Sequence, residues 1–165
     1  MSSTGTVTGV KAGVTTITAS ALGMSASCTV YVTLSENAVY RIRNTGAAVF
    51  LDCNGANIAE VNLTEVQVQS LISAGNDRLA QMWRIIYIGG GFYHIRPMHK
   101  LDYALYLDGA DVKLKNIGTA GNITSENANA RWTIEYIDGD MCLKMLGCSP
   151  APYSLLAVAP PMVKL

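Results

Sequence analysis

The chain has 165 residues, with 12 Lys and Arg against 12 Asp and Glu, and 50% of its residues are hydrophobic. This composition is typical of a globular chain and not of a disordered one. The length is sufficient for one ordinary hydrophobic core, or for one domain and part of another. A balanced charge without a Lys/Arg run gives no electrostatic basis for binding nucleic acid or an anionic membrane. We expect no membrane insertion either, because the longest apolar stretches are far shorter than a spanning helix.

The N-terminal third begins without the charged and then apolar pattern of a signal peptide. Residues 5–32 then alternate Val, Thr and Ile around the turn Leu22-Gly23-Met24, which predicts a β-hairpin. An N-terminus without a signal-peptide pattern has two interpretations. The protein is intracellular, or the sequence is a piece of a longer secreted chain. We favour the second because of the family resemblances given below.

From Val39 onward the chain repeats itself, which organises the rest of the sequence. The run that begins at Trp83 returns at Trp132, and 132 − 83 gives a period of 49. Short runs of alternating apolar residues between Gly, Asn and Asp predict half-buried antiparallel strands joined by turns. The matched segments are Val39-Tyr-Arg-Ile-Arg with Phe92-Tyr-His-Ile-Arg, and Ala48-Val-Phe-Leu-Asp with Ala104-Leu-Tyr-Leu-Asp.

Two segments depart from the regular repeat. Asp52 to Trp83 spans 31 positions, whereas Asp108 to Trp132 spans 24, so residues 62–79 are expected to hold a surface insertion with one helical turn. A third copy begins at residue 141 and continues to residues 153–156, where the chain nears its end. We expect its Trp-x-Ile strand to be absent.

Residue types that carry chemistry give little sign of a reaction. The spacing of His94, His99 and Asp102 matches no standard metal-ligand pattern. No nucleophile elbow, phosphate loop or zinc-protease motif is present. We therefore expect no enzyme activity, no cofactor and no metal. Four cysteines permit three full pairings or buried free thiols, and the pair that merits a disulfide test is Cys142 with Cys148.

A repeat with an aromatic-x-Ile strand, a Leu-Asp strand and a closing Gln-x-Trp resembles the ricin-type β-trefoil lectins. The closing motif is intact as Gln81-Met82-Trp83, whereas the second copy has Ala130-Arg131-Trp132. The resemblance covers residues 37–165, with repeats at about 37–90, 91–138 and 139–165. It implies an all-β trefoil with an incomplete third repeat, in which Trp83 and Trp132 fill the core.

Residues 1–33 resemble the closing part of a bacterial immunoglobulin-like domain of group 2. The resemblance lies in Gly5-Thr-Val-Thr-Gly-Val and in Ser25-Ala-Ser-Cys-Thr-Val-Tyr-Val. It implies that the N-terminal hairpin is a segment of an Ig-like sandwich. Such modules occur on secreted and surface proteins, so the resemblance implies an extracellular or bacterial cell-surface location as part of a longer chain.

The lectin resemblance also implies binding residues. Asp52 and Asp108 match the sugar-binding Asp, with the alternative that each only holds the following turn. Gln69 and Lys115 lie where a stacking aromatic is expected, and Ala157 falls at the Asp position of the third copy. Gln81 and Asn129 match the polar group near the closing motif, although Gln81 also has a structural explanation. The implied carbohydrate-binding set is Asp52, Gln69, Gln81, Asp108 and Asn129.

These resemblances lead to two hypotheses on function. The first is a carbohydrate-binding module of a larger secreted or surface protein, with a glycan or polysaccharide as its partner. The second is a structural spacer or protein-interaction module whose sugar pockets are degenerate. An incomplete third repeat also predicts an unclosed barrel, and unpaired strand edges predict marginal stability or self-association.

Overall fold

A computed structural model describes residues 6–10, 13–44, 47–54, 64–119, 125–137, 140–145 and 156–159. In these ranges the regular elements are β-strands and two six-residue 3₁₀ helices. No helix in these ranges has the length and apolar character needed to cross a bilayer. Cys148 lies outside this part of the chain and the side chain of Cys142 is not described, so the disulfide proposed between them stays a prediction.

The N-terminal hairpin forms as predicted. Strands β1 (Gly13–Ala21) and β2 (Met24–Val32) pair antiparallel along their whole length. Leu22 and Gly23 form the two-residue turn, with φ of 51° and 79°, and positive φ at both positions suits the right-handed twist of a hairpin. The two strands form a separate two-stranded sheet.

One aromatic contact joins this hairpin to the rest of the structure. The rings of Tyr31 in β2 and Tyr87 lie 6.3 Å apart between centroids, and Tyr87 is 5.4 Å from Tyr93. Gly91 has φ of 85°, and a Cβ there would lie 3.5 Å from the Tyr31 ring. A Cβ at that distance would be in ordinary van der Waals contact, so the positive φ is what favours glycine at this position.

The repeats produce the same series of elements twice. The first unit runs through β3 (Arg41–Asn44), β4 (Phe50–Asp52), β5 (Thr64–Glu65), β6 (Gln67–Gln69), a 3₁₀ helix (Asn76–Gln81) and β7 (Trp83–Gly89). The second contains β8 (Phe92–Pro97), β9 (Tyr103–Asp108), β10 (Asp111–Asn116), a 3₁₀ helix (Ser125–Ala130) and β11 (Trp132–Ile137). Strands β12 (Asp140–Met145) and β13 (Leu156–Ala159) follow.

Six strands form a closed barrel in the order β3, β13, β12, β11, β8 and β7. The circle closes where Tyr40 and Trp83 exchange backbone hydrogen bonds of 2.8 and 2.9 Å. The β4–β6 and β9–β10 hairpins extend from this barrel, and β5 adds to β10 as a third strand. The protein is therefore an all-β trefoil, as predicted.

The tryptophans lie in the core at matching places. Trp83 is fully buried and Trp132 is 8% exposed, and both pack in one hydrophobic cluster. The indole N–H of Trp83 donates to the Leu51 carbonyl at 3.1 Å, and that of Trp132 donates to the Leu105 carbonyl at 3.0 Å. The assignment of both residues to the core is confirmed. Tyr40, Ile42, Tyr93 and Ile95 belong to the same cluster.

The prediction of an unclosed barrel is wrong. Strand β13 lies between β12 and β3, where Ala157 is opposite both Arg43 and Cys142. Residues 156–159 thus take the place of the closing strand without its tryptophan, and Ala157 is not at an Asp position of a hairpin. A short strand can satisfy the backbone groups of both neighbours, so the pairing of β13 closes the barrel on this side. The self-association expected from unpaired barrel edges therefore loses that physical basis and stays an untested prediction.

The helical turn expected within residues 62–79 is displaced. Thr64–Glu65 and Gln67–Gln69 are strands, and the 3₁₀ helix begins only at Asn76. The second unit has its own 3₁₀ helix at Ser125–Ala130, 49 residues later, so this turn belongs to the repeat. The additional residues of the first unit lie between Asp52 and Gln67, and β5 is the part of them that the structure describes.

We predict that Ala157→Pro destabilises the barrel by at least about 1–3 kcal/mol, because proline in a strand paired on both sides leaves a buried backbone group unpaired. Ala26→Pro in β2 is the control, since it breaks pairing outside the barrel. Both tryptophans of the chain lie in the barrel, so urea unfolding followed by their fluorescence measures barrel stability. Equal midpoints for Ala157→Pro and the wild type would show that β13 is not a barrel strand.

Candidate functional site

The tryptophan hydrogen bonds fix which hairpin residues are equivalent. Because Trp83 binds the Leu51 carbonyl and Trp132 binds the Leu105 carbonyl, Leu51 corresponds to Leu105. The residue after each leucine is Asp52 in the first unit and Tyr106 in the second. Asp108 lies two positions further along, so the predicted equivalence of Asp52 and Asp108 is wrong. The Leu-Asp pair of the second unit lies two residues later in its hairpin than the pair of the first unit. A shift of two residues leaves each side chain on the same face of the strand, so the alternation of apolar and polar residues does not reveal it.

A second pair of contacts supports this register. The Cys53 amide donates to the Ala80 carbonyl at 2.9 Å, and the Asn129 amide group donates to the Leu107 carbonyl at 3.0 Å. Ala80 and Asn129 are 49 residues apart, which is the period set by the tryptophans. In the same register β6 and β10 correspond, so the predicted equivalence of Gln69 and Lys115 is confirmed.

Asp52 is buried in the first unit. Its side chain is 1% exposed, and its Oδ1 accepts the Asn54 amide at 2.8 Å and the Gln67 side-chain amide at 3.4 Å. Oδ2 has no partner among the residues that the structure describes. The first of these bonds is the turn-holding role that was the alternative for this residue. Gln67, which the sequence analysis did not single out, is its direct cross-strand neighbour.

Gln81 supports the first hairpin from within. The side chain is fully buried; its Oε1 accepts the Ile72 amide at 2.9 Å and its Nε2 donates to the Ser70 carbonyl at 2.8 Å. Both ends of the amide are thus occupied by backbone, which contradicts a role in binding ligand. Gln69 is exposed on β6, opposite Phe50.

The second hairpin presents a different surface. Asp108 retains 41% of its side-chain exposure, and its Oδ2 accepts the Lys113 ammonium at 2.8 Å. The Lys115 ammonium lies 4.5 Å from the centre of the half-buried Tyr106 ring. Asn129 is exposed and bonds the Leu107 carbonyl, which lies between Tyr106 and Asp108 in the chain. A carboxylate and an aromatic ring therefore share one face near the end of β9, and the Asn129 amide binds the backbone between them.

Strand β5 brings a residue of the first unit to this surface. Glu65 lies opposite Lys113, which in turn lies opposite Tyr106, so their side chains are on one face of the three-stranded sheet. The hydrogen bond and charge of Asp108, with the charges of Asp111 and Glu65, raise the pKa of Lys113. We call this surface the Tyr106 face: Glu65, Tyr106, Asp108, Asp111, Lys113 and Lys115.

The remaining polar cluster is internal. His94 and Arg96 in β8 are 0% and 1% exposed, and Arg96 Nη2 lies 3.1 Å from His94 Nδ1. Arg96 also donates to the carbonyls of Leu101 and Gly118, so it fixes two loops. Burial lowers the pKa of His94 to about 4, assisted by the charges of Arg96 and Arg131. The ring is thus neutral at pH 7.

A metal site finds no support in this geometry. Among the residues that can be described, no group of three or more His, Cys, Asp or Glu side chains is placed to hold a metal ion. Cys53 is buried, and the pKa of its thiol is raised to about 12 by burial and by the charge of Asp52, whereas Cys28 is exposed.

No family model matches the sequence, and no curated protein matches it. Solved structures do match the fold. A GlcNAcα1-4Gal-releasing endo-β-galactosidase from Clostridium perfringens is 16% identical with a TM-score of 0.53, over 75% of this chain and 33% of that one. Cry35Ab1 is 12% identical with a TM-score of 0.52, over 80% of this chain and 34% of its own. A lectin from Polyporus squamosus is 16% identical with a TM-score of 0.47, over 79% and 46%.

These likenesses concern the fold. This chain spans about a third of the length of the endo-β-galactosidase and of Cry35Ab1. At identities of 16% and 12% the side chains of a site are not carried over, so the function has to be argued from the residues of this chain.

We predict that Gln81→Met lowers the free energy of unfolding by about 1–3 kcal/mol, because it leaves the Ile72 amide and the Ser70 carbonyl without their partner. Gln69→Met, on the exposed strand β6, is the matched control and should change stability by less than about 0.5 kcal/mol. Urea denaturation of both variants measures the difference. Equal losses would show that the Gln81 hydrogen bonds do not support the hairpin.

The low pKa of His94 predicts a pH dependence. Its contribution to stability is complete above the unfolded pKa of 6.5 and is lost as the pH falls towards the folded pKa of about 4, because only the unfolded chain binds the proton in this interval. His94→Gln should therefore lose less stability than the wild type between pH 6.5 and 4.5. Denaturation curves at several pH values measure the difference, and His99→Gln should act in the same direction because burial also lowers the pKa of His99. Parallel profiles of the wild type and His94→Gln would contradict the assignment.

Proposed function

We propose that this chain is a non-catalytic glycan-binding module, and that its second unit carries the binding site. The observation on which this rests is that Tyr106 and Asp108 share one face near the end of β9, with Asn129 bound to the backbone between them. The trefoil fold, which the chain shares with a protein named for releasing GlcNAcα1-4Gal, is compatible with the proposal but does not carry it.

Asp108 and Tyr106 supply the two kinds of contact that a sugar needs, and Asn129 supports the backbone between them. An exposed carboxylate accepts hydrogen bonds from two neighbouring hydroxyl groups, and bonds to a charged acceptor are stronger than neutral ones. The ring of Tyr106 offers an apolar face to the C–H surface of a pyranose. Asn129 holds the Leu107 carbonyl, and so fixes the backbone between the other two groups. This supports a shallow site in which orientation is set by Asp108.

The described residues of the first unit form no equivalent surface. Asp52 is buried where Tyr106 is half-exposed, and Ala80 is at the position of Asn129. The module therefore offers one site in its first two units, for which we expect a dissociation constant of roughly 1 mM, or about −4 kcal/mol. Useful retention on a polysaccharide then requires several modules acting together.

The larger protein to which the chain belongs is a further part of the proposed function. We propose that it belongs to a longer bacterial protein that is secreted or held at the cell surface, and that catalysis, if the parent has any, resides outside it. The hairpin β1–β2 resembles part of an Ig-like domain in sequence, and this origin is part of the proposal. In support, the chain spans about a third of the length of the endo-β-galactosidase and of Cry35Ab1.

We predict that Asp108→Asn reduces retention on glycans at least tenfold without changing the unfolding midpoint, because an amide replaces the charged acceptor on an exposed side chain. The control is Asp77→Asn, an exposed carboxylate on the first 3₁₀ helix. Binding is measured on an array of galactosides, mannosides, xylan and peptidoglycan fragments. Unchanged binding by Asp108→Asn, or a loss in Asp52→Asn alone, would remove the second unit as the site.

One observation favours a structural or protein-interaction module as the second candidate. The Lys115 ammonium lies over the Tyr106 ring at 4.5 Å, and a sugar that stacks on that side must displace it. A wild-type chain that binds none of the glycans on the array, although it is folded, would favour this candidate over the first.

A further inference from the structure

The Tyr106 face is built by both units. The second unit contributes strands β9 and β10, and the third strand is β5, which belongs to the additional residues of the first unit. Its pairing places Glu65 directly opposite Lys113 and Thr64 opposite Leu114. The lengthening of the first unit is thus not confined to its own hairpin, since it extends the hairpin of the second.

The charges on this face are unequal. Three carboxylates, Glu65, Asp108 and Asp111, stand against the ammonium groups of Lys113 and Lys115. Lys113 is bound to Asp108 at 2.8 Å, and the Lys115 ammonium rests on the Tyr106 ring at 4.5 Å. Without Glu65 the remaining charges cancel. The residue that β5 delivers therefore gives the face its net negative charge.

We propose that Glu65 is a specificity-determining residue that makes the site of the second unit select neutral glycans over acidic ones. This inference rests on the proposed glycan-binding function. A neutral sugar offers hydroxyl donors that carboxylates accept, whereas a uronate, sulfate or sialic acid adds a negative charge to a face that already carries an excess of it. Lys113 gives an acidic sugar little attraction, because its charge is already paired with Asp108.

The test compares matched glycans that differ in one acidic group. An immobilised galactoside with the galacturonide of the same linkage, a xylo-oligosaccharide with its singly glucuronylated form, and N-acetyllactosamine with its 6-sulfated form supply three such pairs. The wild type should retain the neutral member of a pair better. Glu65→Gln should reduce the ratio of neutral to acidic glycan retained by about threefold, the effect of one charge across roughly 7 Å of water. Added salt should reduce the same ratio for the wild type, because it screens the charge of Glu65.

Glu36→Gln is the matched control, since Glu36 is exposed on the segment before β3. Its ratio of neutral to acidic glycan retained should equal that of the wild type. Equal or better retention of the acidic glycans by the wild type, or an unchanged ratio in Glu65→Gln, would overturn the inference while leaving glycan binding intact. If the wild type retains no glycan at all, the proposed function itself fails and this inference fails with it.

Discussion

The structure depends on one interaction made twice: the hydrogen bond from a buried indole N–H to the carbonyl of a hairpin leucine. Each bond joins a barrel strand to the hairpin that extends from the barrel, at 3.1 Å for Trp83 and 3.0 Å for Trp132. Because a buried N–H without an acceptor is costly, the bond fixes the position of the hairpin along the barrel to the residue. This register determines which residues of the two units are equivalent.

The two units share the same arrangement of barrel strands and hairpin but present different side chains at the surface of the hairpin. At the position that follows the anchoring leucine, the first unit has Asp52, which is buried and holds a turn, and the second has Tyr106, which is half-exposed. The acceptor that remains exposed is Asp108, two residues later. The tryptophan requires only the backbone carbonyl of the hairpin, so the outward side chains are free to differ without loss of the core.

Interactions across unit boundaries complete the molecule. Strand β13 closes the barrel through backbone pairing with β3 and β12, and β5 extends the hairpin of the second unit. Both segments are short, and both satisfy edges that would otherwise be unpaired. The binding surface proposed for the second unit therefore takes one of its charges from a segment that belongs to the first.

The sequence by itself determined the β-hairpin and the 49-residue period, because alternation and repetition report which faces are apolar. The resemblance of its repeat to β-trefoil lectins implied the all-β trefoil and the burial of both tryptophans. Tertiary structure alone decided the register of the Leu-Asp motifs, since a shift of two residues leaves every face unchanged. It also decided the internal role of Gln81 and the pairing of β5 and β13. These depend on backbone partners distant in the chain, and short polar or apolar segments carry no signal of which edge they meet.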